Sequence, residues 1–219
     1  MHSTIKNLLY IKNNIKVYLE KLNINNNPKI LAVSKTFEIN KILPLIEYGH
    51  LDYGENKVQE ALEKWSDIKL EKKNLKLHLI GKLQTNKVKQ AIKIFDYIHS
   101  VDSEKLAKKI ADEEKKQGKK IKIFIQVNIG DEEQKSGVNK SSVHELYSYC
   151  KAINLNVIGL MCIPPLGKSS DIFFKEMHTL NKNLNLSELS MGMSADYLDA
   201  IKNFATYVRI GSNIFGERS

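Results

Sequence analysis

Short apolar runs alternate with amphipathic helical stretches from one end of this chain to the other, and that alternation limits the fold more than any other feature. Runs with strand character lie at 29–34, 51–53, 75–80, 97–101, 121–129, 157–163, 188–191 and 207–210. Helical periodicity fills the gaps at 39–48, 57–65, 87–95, 104–117, 142–153, 170–183 and 195–204. A strand buried on both faces reads as a continuous apolar run, and successive parallel strands need a helix-length crossover between them. Eight strands separated by seven helices therefore indicate βαβ units in series. An amphipathic helix stands in front, with Ile5, Leu8, Leu9, Ile15 and Leu19 near helical spacing, until the Asn-rich segment 23–28 ends it. The expected fold is α/β, a single TIM (β/α)8 barrel with an extra N-terminal helix. Periodicity alone leaves a doubly wound open sheet as the alternative. No linker or composition shift divides the 219 residues, so one domain over 1–219 is expected.

Barrels carry their chemistry at the C-terminal ends of the strands, and phosphate commonly binds after strands seven and eight. Lys35 ends the apolar run Ile30-Leu31-Ala32-Val33-Ser34. A lysine there either snorkels to water or is kept as an amine nucleophile, because burying an unpaired ammonium costs several kcal/mol. After strand seven comes Met191-Gly192-Met193-Ser194, and after strand eight comes Gly211-Ser212-Asn213. Both turns are small and able to aim N–H groups and hydroxyls at a dianion. An amine and a phosphate cradle at one mouth point to a phosphorylated aldehyde. Taken alone, Gly211-Ser212 is also an ordinary turn, and the spacing to Gly216 is followed by Glu217, so it is no Walker loop.

The net charge of +9 invites a nucleic-acid reading, but the excess is lysine, and Arg209 and Arg218 are the sole arginines. Lysines alternate with acids on helical stretches such as 104–120, the pattern of a solvated face, with no interleaved aromatics to stack bases. In so lysine-rich a chain, Arg209 stands out as a place where guanidinium geometry is wanted. Cys150 and Cys162 form no CxxC motif or disulfide framework, so a reducing, cytoplasmic setting is expected. The run Leu8-Leu9-Tyr10-Ile11 between Lys6 and Lys12 has no secretory pattern, and no stretch approaches a membrane span. The six histidines show no ligand spacing, so no metal site is expected.

Several motifs carry a family resemblance in register along nearly the whole chain. They are Ala32-Val33-Ser34-Lys35-Thr36, Tyr53-Gly54-Glu55-Asn56-Lys57-Val58-Gln59-Glu60 and His78-Leu79-Ile80-Gly81-Lys82-Leu83-Gln84-Thr85-Asn86-Lys87. Val127-Asn128-Ile129, Lys135-Ser136-Gly137-Val138, Gly159-Leu160-Met161, Leu189-Ser190-Met191-Gly192-Met193-Ser194 and Val208-Arg209-Ile210-Gly211 continue the series. The chain resembles the pyridoxal phosphate homeostasis proteins, a family similar in fold to the barrel domain of alanine racemase. The resemblance implies that pyridoxal 5′-phosphate is the cofactor and that Lys35 holds it as an aldimine. It further implies Gly211, Ser212 and Ser194 as phosphate ligands and Arg209 facing the pyridine nitrogen. Asn56 would reach the ring hydroxyl, or else cap the following helix. Ile80 would pack on the ring face, or else be plain core. Arg209 read structurally would be a core ion pair, for which the strand pattern offers no nearby acid. Lys57 and Lys82 depart from residues common in the family, at the pocket rim, and Ser212 replaces a frequent threonine while keeping the hydroxyl.

The function this implies is a carrier or buffer in intracellular pyridoxal phosphate homeostasis, a non-enzyme with absent or marginal catalysis. A monomer is expected, with pyridoxal-phosphate-dependent apoenzymes as transient acceptors and neither nucleic acid nor membrane as partner. Two alternatives come from enzymology. An amino-acid racemase needs a base on each face of the substrate carbon. Alanine racemases supply the second from a further C-terminal domain of a partner subunit, and the expectation is that the residues after Phe215-Gly216 leave no room for one. A Schiff-base aldolase without cofactor would need an acid–base partner for Lys35, and Glu55 is the sole candidate nearby.

Overall fold

The structure, a computed structural model, describes residues 1–132 and 134–217. Strands β1 (Lys29–Val33), β2 (Asp52–Glu55), β3 (Lys76–Leu79), β4 (Tyr97–Val101) and β5 (Lys122–Asn128) run in parallel. The two-residue strand β6 (Val138–Asn139) lies beside β5, which also pairs with β7 (Asn156–Cys162). From β7 the sheet continues through β8 (Glu188–Met193) to β9 (Tyr207–Ile210), and β9 pairs with β1. Pairing of β4 with β5 and of β9 with β1 closes eight parallel strands into a barrel, which settles the choice against an open sheet.

The expected elements are present, with shifted ends and additions. β2 runs on through Gly54 and Glu55, beyond the expected end at 53. Glycine is a poor strand signal, but here it pairs with Val33 on one side and His78 on the other. β8 likewise extends through Gly192, whose φ of +89° suits glycine and bends the strand end. Helix α1 (Ser3–Leu22) buries Thr4, Leu8, Ile11, Ile15 and Leu19, a stripe at near-helical spacing, and ends at left-handed Asn23. The crossovers are α2 (Ile39–Glu47), α3 (Val58–Glu71), α4 (Val88–Ile94), α5 (Glu104–Gln117), α6 (Val143–Ala152), α7 (Ser170–Asn183) and α8 (Tyr197–Lys202). A short α9 (Ser212–Phe215), not anticipated, follows β9 and packs against α1.

Strand alternation divides the interior in two. Outward side chains such as Ala32, Tyr53, Leu77, Ile98, Leu160 and Val208 pack under the helices in the main core. Inward ones, Leu31, Tyr97, Phe124, Met161 and Tyr207, fill the lumen with Ile80 and Ile158 packed on them. Tyr97 and Tyr207 plug the N-terminal end, each hydroxyl accepting from a lysine: Lys122 Nζ at 3.2 Å and Lys29 Nζ at 3.1 Å. The lumen therefore opens at the C-terminal mouth.

Candidate functional site

Because the barrel strands are parallel, their C-terminal ends share one mouth. The sequence-predicted site residues fall on an arc of neighbouring strands in the order β8, β9, β1, β2, β3. Lys35 follows β1 and is half-buried. Its flanking residues are held on all sides. Ser34 N donates to Gly54 O at 3.0 Å and Ser34 Oγ to Glu55 Oε1 at 2.7 Å. Lys64 Nζ donates to Ser34 O at 2.9 Å, and Glu60 Oε1 accepts from Thr36 N at 2.6 Å. Thr36 has φ of +68°, a region a β-branched residue enters only when its surroundings impose it. The turn carrying Lys35 is thus fixed by α3, which supplies Glu60 and Lys64.

Glu55 is the hub of that brace. It is fully buried, and Oε1 also accepts from Lys64 Nζ at 3.1 Å and Trp65 Nε1 at 3.0 Å. Burial pushes its carboxyl above the ordinary range, against the pull of Lys64, Trp65 and Ser34. This corrects the reading of Glu55 as an acid–base partner for an aldolase lysine. Strand alternation turns it away from the lumen, toward Trp65 and Lys64 of α3.

Asn56 follows β2 and is half-buried. The N-cap of α3 is Lys57, with no side-chain cap bond, so the capping role considered for Asn56 is not the one it has. A Cβ on Gly81 would lie 2.4 Å from Asn56 O, so glycine there lets the loop after β3 rest on the Asn56 backbone. Ile80 joins this pair: its N donates to Glu55 O at 2.9 Å, and its side chain caps the lumen cluster rather than entering the main core. A Cβ on Gly54 would meet Ile80 Cδ1 at 3.2 Å.

Arg209 points into the lumen and is 4% exposed. Nη1 donates to Ser190 Oγ and Nη2 to Cys162 O, both at 2.8 Å. Both bonding partners are neutral, and the carboxylate that acts on the guanidinium, Asp196, does so through space rather than in an ion pair. Burial draws the guanidinium below its ordinary range, yet arginine is so basic that it keeps its charge. The Cys162 thiol is pushed up to about 12 by burial and stays a packing group. Gly211 is buried against β1, where a Cβ would stand 3.3 Å from Val33 O. Exposed Ser212 and Asn213 open α9, and Asn213 Nδ2 donates to Ser194 O at 3.0 Å, tying the two candidate phosphate turns together. Sequence reading missed the polar residues deeper in the lumen: Asp52, His78, His99 and Ser190. Their signal was period-two alternation with Ile80, Tyr97 and Arg209, polar groups at inward positions of the strands.

Fold and site together define a class: a (β/α)8 barrel with an amine beyond its first strand and a guanidinium inside its last. Residues 7–219 match the family described as alanine racemase, N-terminal domain. The pyridoxal phosphate homeostasis protein of Aquifex aeolicus (strain VF5) is 40% identical over 203 residues, 88% of each chain. The structure of PipY of Synechococcus elongatus PCC7942 with PLP bound superposes with a TM-score of 0.80 at 31% identity, covering 92% of this chain and 100% of that one. An alanine racemase of Clostridium difficile 630 shares the fold alone, with a TM-score of 0.72 at 18% identity over 98% of this chain and 56% of its own. The chain belongs to the family of pyridoxal phosphate homeostasis proteins, built on the alanine racemase N-terminal barrel. Among the described residues no helix is long and apolar enough to cross a membrane, and no group of three or more His, Cys, Asp or Glu could hold a metal ion.

Proposed function

We propose that this chain binds pyridoxal 5′-phosphate at the barrel mouth and serves in pyridoxal phosphate homeostasis as a cytoplasmic carrier or buffer. The observation that carries the reading is the pairing of a braced lysine beyond β1 with a lumen-facing arginine on the adjacent β9, bonded to neutral partners. When bound, the cofactor supplies an aldehyde that links to an amine and a pyridine ring that withdraws electrons. Lys35 is the amine. Gly211, Ser212 and Ser194 cradle the phosphate, where N–H groups at the start of α9 precede the first intrahelical bonds. Asn56 meets the ring hydroxyl and Ile80 packs on the ring face.

Arg209 decides between carrier and enzyme. A guanidinium has five N–H donors and no acceptor, and Ser190 and Cys162 engage two of them. Facing a pyridine nitrogen, it donates and disfavours a proton there, whereas a carboxylate would hold one and strengthen the electron sink. Carbanion chemistry is restrained, so catalysis is absent or marginal. The protein acts as a monomer that hands its cofactor to pyridoxal-phosphate-dependent apoenzymes.

The test is the visible spectrum of freshly purified protein before and after borohydride, with mass mapping of the reduced adduct. A yellow band bleached by borohydride, with a pyridoxyl mass on Lys35 that Lys35→Ala abolishes, is expected. Colourless protein that stays unlabelled after incubation with pyridoxal phosphate refutes the reading.

A further inference from the structure

A continuous line of hydrogen bonds runs through the buried lumen beneath the proposed cofactor site. Asp52 Oδ1 meets His78 Nε2 at 3.1 Å, His78 Nδ1 meets His99 Nε2 at 3.0 Å, and His99 Nδ1 meets Ser190 Oγ at 2.8 Å. Ser190 Oγ then accepts from Arg209 Nη1 at 2.8 Å. The residues come from β2, β3, β4, β8 and β9, so the line crosses the barrel from wall to wall. His78 and His99 are both fully buried and stack on Tyr97 and Phe124 respectively, which fixes their ring planes. Asp52, at the other end, is partly exposed and lines a groove of about 1290 Å³ between α1 and the N-terminal end of the barrel.

The chemistry at the two ends sets the direction of every bond. Arginine only donates, and a carboxylate only accepts. Burial disfavours charge on both imidazoles: desolvation lowers His78 despite its bond to Asp52, and holds His99 well below the ordinary value, with His78 and Arg209 adding to the effect. Burial raises the Asp52 carboxyl, but the His78 hydrogen bond and nearby Lys29 outweigh it and leave it ionised. The contact of His78 with Asp52 is therefore a neutral imidazole donating to an anion. With neutral rings and an ionised Asp52, a single arrangement satisfies all four bonds. His78 Nε2–H donates to Asp52, His99 Nε2–H to His78 Nδ1, Ser190 O–H to His99 Nδ1, and Arg209 to Ser190. The reverse tautomers would set two acceptors against each other at Asp52.

We propose that Asp52, His78, His99 and Ser190 form a positioning relay that orients the Arg209 guanidinium and couples it to a carboxylate at the opposite end of the barrel. The coupling to a bound ring rests on the cofactor reading above; the relay itself does not. Alignment of the four dipoles holds the Nη1 side of Arg209 toward Ser190, leaving its other donors for the ring nitrogen.

The relay is tested first in the unaltered apo chain, by two-bond proton–nitrogen correlation of its imidazoles at neutral pH, with His78→Gln and His99→Gln assigning the signals. Both rings are expected as neutral Nε2–H tautomers. An Nδ1–H tautomer or a cation at either ring overturns the relay. The coupling is tested in protein loaded with pyridoxal phosphate, using Asp52→Asn, which keeps the shape but no longer forces the direction, and Ser190→Ala, which breaks the line. Both are expected to shift the absorption maximum of the chromophore while borohydride still labels Lys35. Labelled Lys35 with an unshifted spectrum in both variants overturns the coupling. Failure of the unaltered chain to take up pyridoxal phosphate overturns the cofactor reading and the coupling with it, while the tautomers still decide the relay.

Discussion

Replacing Lys64 with methionine removes a cation from the buried brace under Lys35 and leaves the apolar stem in place. Lys64 Nζ lies 3.1 Å from Glu55 Oε1, 3.0 Å from Glu60 Oε1 and 2.9 Å from Ser34 O, with side-chain exposures of 9% for Lys64 and 0% for Glu55. At an effective dielectric constant of about 20, a pair at that separation is attracted by roughly 5 kcal/mol, much of it offset by the cost of desolvating the ammonium. Removing one partner of a buried pair typically costs about 3–5 kcal/mol, because the remaining charge stays buried. Glu55 keeps its bonds from Ser34 and Trp65, and Glu60 is partly exposed, so the low end, about 3 kcal/mol, applies.

With a urea slope of about 3 kcal/mol/M for a chain of this size, Lys64→Met should lower the unfolding midpoint by about 1 M. The sign of the pH dependence follows from Glu55. Its carboxyl is already raised by burial and rises further without Lys64, so the stability it retains is full below the ordinary carboxylate range and lost as pH climbs through the raised value. The deficit should therefore be larger at pH 8 than at pH 5. Replacing both partners by apolar residues, Glu55→Leu with Lys64→Met, should recover part of the loss. A single-variant shift under about 0.3 M, or a deficit that grows toward acid, would refute the reasoning.

His50, buried with its Nε2–H donating to Asp52 O at 3.0 Å, is depressed by desolvation to about 4 from 6.5. Its contribution, about 3 kcal/mol, is present above the unfolded value and lost as pH falls through the folded one, so His50→Gln should flatten the fall in urea midpoint between pH 7 and pH 4. An equally steep fall in the variant sinks that assignment. Gly192→Ala places a Cβ 2.5 Å from Ala200 Cβ at a φ of +89°, and should destabilise by about 2–4 kcal/mol in urea titration. A loss below about 1 kcal/mol would show that β8 relaxes there.

Much of this was legible because strand and helix periods differ and the chain keeps them apart. The runs ending at Lys35 and beginning at Tyr207 fell where expected, and the arc from Ser194 through Gly211 to Asn56 and Ile80 follows once the strands are parallel. What stayed hidden depends on facing rather than period. Glu55 is adjacent to Asn56 in sequence, yet alternation turns it outward to Lys64 and Trp65, so its place at the end of the strand beside Lys35 misled. Helix α9 is a single turn, too short for any periodic signal.

Asp52, His78, His99 and Ser190 were hidden for a different reason. Each is a single inward position on its own strand, too few on any one strand to make a pattern, and barrel closure makes them a line. Closure also explains why a charge can be kept there. A buried guanidinium without a counter-ion is costly. Arg209 instead spreads its donors over Ser190 and Cys162 O, feels the Asp196 carboxylate through space, and meets, through two neutral imidazoles, a further carboxylate that remains in contact with water. The arginine that would make the site a carrier and the histidines beneath it are thus one solution to a single electrostatic problem. Removing Asp52 or Ser190 should be felt at the mouth before it is felt in the core.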